Sequence, residues 1–258
     1  MSARKTIPLN EIGAVLNVFS DLSELSEHSA QFFVEVARRS CGEFGRFTVC
    51  LSGGSTPRLT YSLLAQERFS REVEWSRVHI FWGDERCVPL DSSDNHYTMT
   101  QELWFSKVPI PPENVHRIKG ESADPEGAAE EYEGLLKQFF GLRPGDMPRF
   151  DLVFLGMGTD GHTASLFPGT AGLSEEGRLV VAHYVPKLQS YRLTLTFPVF
   201  NNADQIVFLA NGESKATAMK NVLQATIEDM DIPATIIRPK HGKLVWFVDQ
   251  AAAGYLYT

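Results

Sequence analysis

The sequence predicts an α/β protein, a three-layer, mostly parallel sheet with helices on both faces. Three observations predict it. Short apolar runs alternate with segments of helical period, the order expected of parallel strands joined by crossover helices. Several runs, such as Val78-His-Ile-Phe-Trp82 and Asp151-Leu-Val-Phe-Leu155, are nearly continuously apolar, as strands buried on both faces are. The segments that follow them, Ser52–Thr56, Asp84–Arg86, Gly156–His162 and Asn211–Lys215, carry glycine or charge. Ligands of open parallel sheets gather at the carboxyl ends of the strands.

The elements follow in order, in a layering that is Rossmann-like. Apolar residues at Leu22, Leu25, Phe33, Val36 and Ala37 predict a helix over Leu22–Ser40, with Gly42 as its stop. Arg46–Leu51 is a strand, and Pro57 opens a helix through Leu59, Leu63 and Leu64. After the strand Val78–Trp82, a polar loop leads to a helix near Asn95–Phe105, and Pro109, Pro111 and Pro112 break the chain. Asp124–Phe140 is an amphipathic helix before the strand Asp151–Leu155. Further strands are predicted over Leu179–Val185, Arg192–Phe197, Gln205–Ala210, Ala234–Ile237 and Leu244–Val248. Ser214–Leu223 reads as a helix capped by Ser214.

The 258 residues, 43% of them hydrophobic, suffice for a sizeable core, and no clean linker divides them, so residues 1–258 form one domain. A net charge of −8 argues against a nucleic-acid binder. An anionic small substrate would need a local basic pocket, because the field of the whole protein has the wrong sign. Cys41, Cys50 and Cys87 are odd in number, widely spaced and free of any C-x-x-C. That suits a reducing cytoplasm. The N-terminus has no apolar region of a signal peptide, and no stretch is long and apolar enough to span a bilayer. A monomer is the favoured assembly.

The segment Leu155-Gly-Met-Gly-Thr-Asp-Gly-His-Thr-Ala-Ser-Leu-Phe-Pro-Gly169 contains G-x-G-x-x-G after a strand. A dinucleotide turn would have to open a full crossover helix. Pro168 and Gly169 arrive seven residues after Gly161, too soon for one. The ribose-binding acid expected about 20 residues on is also missing, since the next strand ends at Val185-Pro186-Lys187. The glycines instead present His162, which can take a proton from water and return it to a leaving oxygen. Asp160 is placed to orient it. No H-E-x-x-H or similar spacing occurs, so neither a metal nor a cofactor is expected.

Ser52-Gly53-Gly54-Ser55-Thr56-Pro57 is a strand–glycine–hydroxyl–helix junction suited to one phosphate. It lacks the lysine of a nucleotide-binding loop, so ATP is not implied. Arg86 is a fixed cation for an oxyanion or phosphate, and Asp84 could orient it or act as a base. Gly212-Glu-Ser214-Lys-Ala216 loosely resembles a nucleophile elbow, with Asp229 or Asp231 and then His241 following in order. Those groups crowd into the end of the chain, which counts against a serine esterase.

Together the loops resemble the 6-phosphogluconolactonase family, within the glucosamine-6-phosphate isomerase/deaminase group. The likeness runs from about residue 46 to 248. It is carried by Leu51–Pro57, Phe81–Arg86 with Val88-Pro89, His116–Ile118 through Gly120-Glu121, Asp151–Pro168, Arg192–Thr196, and Gly212–Ala216 with Pro233-Ala234. The Gly161-His-Thr-Ala-Ser-Leu-Phe-Pro168 block is its specific part. The resemblance implies hydrolysis of a phosphorylated δ-lactone, 6-phospho-D-glucono-1,5-lactone, in the oxidative pentose phosphate pathway. By it His162 matches the general base and Arg86 the cation near the lactone. Ser52, Gly53, Gly54, Ser55 and Thr56 match the phosphate cradle, Lys215 a lysine that reaches the phosphate, and Arg192 a further phosphate ligand. The isomerase/deaminase branch resembles Gly-His-Ile-Ala-Phe-Asn-Glu-Pro after the loop, with a glutamate supporting the histidine; here Phe167 stands at that glutamate. The lactonase pattern often has Ser-Asn-Tyr where this chain has Asn95-His96-Tyr97. Two alternatives stay open: an amino-sugar-phosphate isomerase/deaminase, and a non-catalytic sugar-phosphate sensor.

Overall fold

The computed structural model describes residues 5–9, 13–224 and 232–256. Its strands are β1 Lys5–Leu9, β2 Ala14–Phe19, β3 Phe47–Leu51, β4 Val78–Trp82, β5 Asp84–Arg86, β6 Val115–His116, β7 Leu152–Gly156, β8 Val180–Val185, β9 Ser190–Leu195, β10 Gln205–Ala210 and β11 Lys243–Asp249. The α-helices are α1 Leu22–Phe44, α2 Arg58–Leu64, α3 Glu67–Ser70, α4 His96–Leu103, α5 Pro125–Phe140, α6 Phe197–Asn201 and α7 Ala216–Gln224.

Eight strands form the main sheet, in the order β1-β2-β11-β10-β7-β3-β4-β6. Every neighbouring pair is parallel except β1 with β2. From β3 the chain moves to β4 on one side, and from β7 to β10 and β11 on the other. The order therefore reverses between β3 and β7, and the crevice outside the carboxyl ends of these two strands is where such sheets bind ligands.

Both faces of the sheet are apolar. On one, Phe47 meets Phe33 of α1, and Trp82 meets Tyr97 of α4 and Phe105. On the other, Phe81 packs on His116 and on Phe139 and Phe140 of α5. Successive strand residues point to opposite faces, so the uninterrupted apolar run of each strand serves both layers.

A second sheet of three antiparallel strands, β5-β9-β8, grows directly out of the first. Gly83 is the junction. Its N–H donates to the Leu51 carbonyl of β3 at 2.9 Å, and its own carbonyl accepts from Leu195 of β9 at 2.8 Å. The antiparallel sheet was not among the sequence expectations, because a three-residue strand carries no periodicity. The N-terminal hairpin of β1 and β2 was likewise not anticipated.

Three element boundaries differ from expectation. The first helix runs through Gly42 and ends at Gly45, whose φ of 76° is the left-handed conformation of a C-cap. Residues Pro233–Ile236 form a 3-10 turn instead of a strand, as they have no strand partner. Ser214 does not cap a helix; it is exposed inside the 3-10 turn Glu213–Lys215, and α7 begins at Ala216.

Two predictions follow from this packing. The buried Tyr132 hydroxyl of α5 accepts from the Trp82 N–H at 3.0 Å and donates to the Trp82 carbonyl at 3.1 Å. Tyr132→Phe leaves a buried N–H unpaired and is expected to cost about 1–3 kcal/mol in denaturant unfolding. The second concerns His116, whose ring nitrogen lies 3.3 Å from that of His79 amid the Phe81 and Phe139 rings. Burial, and secondarily His79, pulls His116 from 6.5 to about 4. A depressed histidine pKa means that the unfolded chain binds more protons between those values, so stability is complete above about 6.5 and falls as pH drops toward 4. His116→Phe is expected to flatten the fall of Tm across that window, and an unchanged slope would refute the assignment.

Candidate active site

Gly158 explains why the loop after β7 needs glycine. A Cβ built there would lie 2.0 Å from His162 Nδ1 and 2.6 Å from Asp160 Oδ1. The missing side chain is the space in which this pair sits. Gly158 N–H donates to the His162 carbonyl at 2.8 Å, and Gly161, at φ 76°, turns the chain back. No α-helix follows; Thr163 and Leu166 are instead linked by an isolated bridge. A dinucleotide turn would need that helix, so the glycine pattern serves the histidine.

His162 Nδ1 is 2.5 Å from Asp160 Oδ1. A carboxylate only accepts, so Nδ1 carries the hydrogen and Nε2 keeps its lone pair. The other oxygen of Asp160 accepts from Lys187 Nζ at 2.8 Å. Burial alone would raise the Asp160 carboxyl, but Lys187 and His162 outweigh it and hold it far below the ordinary carboxylate range. Phe167 lies against the imidazole, with ring centroids 4.1 Å apart and planes 26° from parallel.

Asp84, Arg86 and His162 face a cleft with two lobes. The first, of about 290 Å³, is lined by the Ser52–Pro57 loop, Asp84, Arg86, His96, the 156–158 glycine turn, His162 and Lys215. The second, of about 380 Å³, shares Asp84, Arg86 and His162 and adds Asp160, Lys187 and Arg192. The structure thus brings together every site residue predicted from the sequence. It also separates them: the glycine loop and Lys215 line one lobe, and Arg192, expected with the phosphate ligands, lines the other.

The first lobe is held from behind. Tyr61 donates to the Ser52 carbonyl at 2.7 Å, and Thr56 Oγ1 donates to Asn211 at 2.8 Å. Gly54 takes φ 90°, which glycine allows without strain. Helix α2 behind the loop has only seven residues, so the cradle rests on the loop itself more than on a helix dipole. Burial pulls the Lys215 ammonium down, with Asp160 opposing. The chain is net negative, yet four cations, Arg86, Lys187, Arg192 and Lys215, line the cleft. This is the local basic pocket an anionic substrate requires.

Asp84 does not pair with Arg86. It is buried and accepts from Ser165 Oγ at 2.7 Å. Arg86 donates instead through Nη1 to Asp94 Oδ1 at 2.7 Å and to the Asp94 carbonyl at 3.3 Å, and it lines both lobes. Burial, and next the like charge of Arg86, pulls the Arg192 guanidinium down. Of the esterase grouping, Ser214 and His241 are exposed and Asp229 and Asp231 lie outside the described residues.

Sequence reasoning missed Lys187 and the contact made by Phe167. Lys187 had a readable signal, since it follows β8 as the other site groups follow their strands. Among the described residues, no group of three or more His, Cys, Asp or Glu is placed to hold a metal ion, and no helix is long and apolar enough to cross a membrane.

Comparisons with known proteins identify the family of the chain. A family model described as glucosamine-6-phosphate isomerases/6-phosphogluconolactonase matches residues 20–246. The chain is 36% identical over 241 residues to a 6-phosphogluconolactonase of Nostoc sp., covering 93% of this chain and 98% of that protein. It is 40% identical over 214 residues to a 6-phosphogluconolactonase of Synechocystis sp., covering 83% and 86%. Among solved structures, the 6-phosphogluconolactonase from Trypanosoma brucei superposes with a TM-score of 0.81 at 29% identity, covering 93% of this chain and 98% of that one. A monomeric glucosamine-6-phosphate deaminase, at 22% identity and a TM-score of 0.76, shares the fold alone. The chain belongs to the glucosamine-6-phosphate isomerase/6-phosphogluconolactonase family.

Proposed function

We propose that this protein is a 6-phosphogluconolactonase, hydrolysing 6-phospho-D-glucono-1,5-lactone to 6-phospho-D-gluconate in the pentose phosphate pathway. The observation that carries the reading is the Asp160–His162 pair, which leaves His162 Nε2 free as a base at the meeting of the two lobes. The phosphate lies in the Ser52–Thr56 cradle with Lys215, and the lactone lies beside His162 and Arg86.

His162 Nε2 takes a proton from water, whose oxygen bonds to the lactone carbonyl carbon. Arg86 stabilises the oxyanion that develops, from a position fixed by Asp94. Collapse of the tetrahedral intermediate breaks the bond to the ring oxygen, which receives the proton from His162. The water proton and hydroxyl thus end on the hydroxyl and carboxyl of the product. Asp160 keeps the imidazole oriented and supports its charged form. Lys187 fixes Asp160. Arg192 and Asp84 contact the polar edge of the sugar from the second lobe. No step calls for a cofactor.

The Phe167 contact favours this reading over an amino-sugar-phosphate deaminase. The phenyl ring occupies one face of His162 where that branch has a glutamate, and it can neither accept nor donate a proton. The paired base also speaks against a non-catalytic sensor. The three free cysteines, Cys41, Cys50 and Cys87, support a cytoplasmic setting. The shared apolar core of the two sheets supports reading the chain as one domain, and we take a monomer as its working assembly.

The decisive assay generates the lactone in situ at slightly acidic pH and follows acid release. Wild type is expected to accelerate ring opening, and His162→Ala to lose about 10²–10⁴-fold in kcat. A fast His162→Ala enzyme would refute the base assignment. Gly158→Ala would push aside only the mobile ends of His162 and Asp160, so the fold is expected to survive while kcat falls by about 10²-fold; circular dichroism and kinetics together check this. Lys215→Ala is expected to raise KM about tenfold or more with kcat little changed, and an unchanged KM would remove Lys215 from the phosphate site.

A further inference from the structure

Two residues that line the first lobe, Ser52 and His96, each carry a buried side-chain atom with no hydrogen-bond partner among the described residues, Oγ and Nε2 respectively. The other buried unpartnered side-chain atoms, such as His183 Nδ1 and Trp246 Nε1, lie off this lobe. A buried polar atom without a partner is costly, and two on one wall mark a place built for a polar ligand. Ser52 already belongs to the expected cradle. His96 does not.

His96 is only 5% exposed. It opens α4, and its ring lies against Gly53 of the cradle: a Cβ built on Gly53 would stand 2.0 Å from Cδ2 and 2.1 Å from Nε2. Gly53 is therefore glycine because His96 fills the space beside it. The far side of the ring fixes its protonation. Nδ1 is 3.2 Å from the Asp84 carbonyl oxygen, which only accepts, so Nδ1 carries a hydrogen. A neutral ring then has a bare lone pair on Nε2. A phosphomonoester dianion also offers only acceptors, and two lone pairs cannot bond. Only the doubly protonated ring can donate.

The charged groups around the ring suit that change. Asp84 Oδ1 and Glu85 Oε1 lie 3.8 and 3.7 Å from Nδ1 and would balance an imidazolium. Glu85 itself accepts from three backbone N–H groups, of Arg86, His96 and Tyr97. Burial raises its carboxyl, and His96 and those donors oppose the rise. Arg86, Lys215 and His162 line the same lobe and act in the opposite sense on a second cation.

We propose that His96 is an additional phosphate ligand whose Nε2 takes up a proton from solvent as the phosphomonoester binds and donates it as a hydrogen bond. The inference rests on the lactonase reading for the identity of the ligand. It makes binding of this substrate proton-linked at a position where the family pattern often has a neutral asparagine.

Calorimetric titration with the stable product 6-phosphogluconate tests it, at pH 7.5 in phosphate-free buffers of different ionisation enthalpy. That pH is well above the second phosphate pKa of about 6, so the ligand itself contributes little proton uptake. Wild type is expected to take up a substantial fraction of one proton per site, and its affinity to weaken as pH rises. His96→Asn and His96→Gln are expected to lose the uptake and to bind about tenfold to a hundredfold more weakly, as for one lost charged hydrogen bond. His162→Ala is expected to retain the uptake. Zero uptake in wild type overturns the proposal without reference to any variant. Uptake that persists in folded His96→Asn also overturns it and leaves Lys215 and His162 as the groups that take the proton. Failure of the lactonase reading has a different signature, an absence of both product binding and lactone hydrolysis in wild type.

Discussion

Two buried carboxylates on one short strand hold the site together. Asp84 and Glu85 are 6% and 1% exposed, and burial of a carboxylate is tolerated only with full hydrogen bonding. Glu85 obtains it from the N–H groups of Arg86, His96 and Tyr97, which fixes the start of α4 against β5. Asp84 accepts from Ser165, four residues along the loop that begins at Gly161. One dipeptide thus ties the phosphate side of the cleft to the catalytic side. The dipeptide follows Gly83, where the chain passes from the main sheet into the second one.

The cleft solves an electrostatic problem. The protein is acidic overall, and its substrate carries a phosphate. Four cations therefore line the cleft, and three of them are shaped by their neighbours. Arg86 is oriented by Asp94 and Lys187 by Asp160, while Arg192 is desolvated beside Arg86. These cations act at short range in a partly desolvated crevice, where they count for more than the diffuse negative field. The same crowding favours the ionised form of Asp160, the form that accepts from both Lys187 and His162.

A single aromatic contact, that of Phe167 with His162, marks the environment of the imidazole in this chain. Isomerase and deaminase chemistry moves protons among several sites and benefits from an acid beside the histidine. Lactone opening needs one base and one cation. Phe167 covers a face of His162, while Asp160 occupies its Nδ1. A shared architecture with low sequence identity thus leaves the reaction to be decided by the few residues around the imidazole.

The sequence alone determined the layered fold and most of the site. Its apolar strand runs and crossover helices admit few arrangements, and the rule that ligands lie beyond the strand ends picked out Ser52–Thr56, Asp84–Arg86, Asp160, His162 and Lys215 directly. Those groups are local to a strand end, and local pattern is what a sequence displays. The tertiary structure decided which of them meet. Whether Asp84 bonds to Arg86 or to Ser165 depends on a three-stranded sheet whose first strand is too short to show a period. Gly42 read as the stop of the first helix, but the helix runs on to Phe44 and the left-handed cap is Gly45. Gly53 and Gly158 read in the sequence as backbone-turning residues, one in a phosphate junction and one in the loop that presents His162. Only the folded chain shows that each is the absence of a side chain, opposite His96 in one case and His162 in the other, because exclusion of volume between residues far apart in sequence exists only once they are brought together.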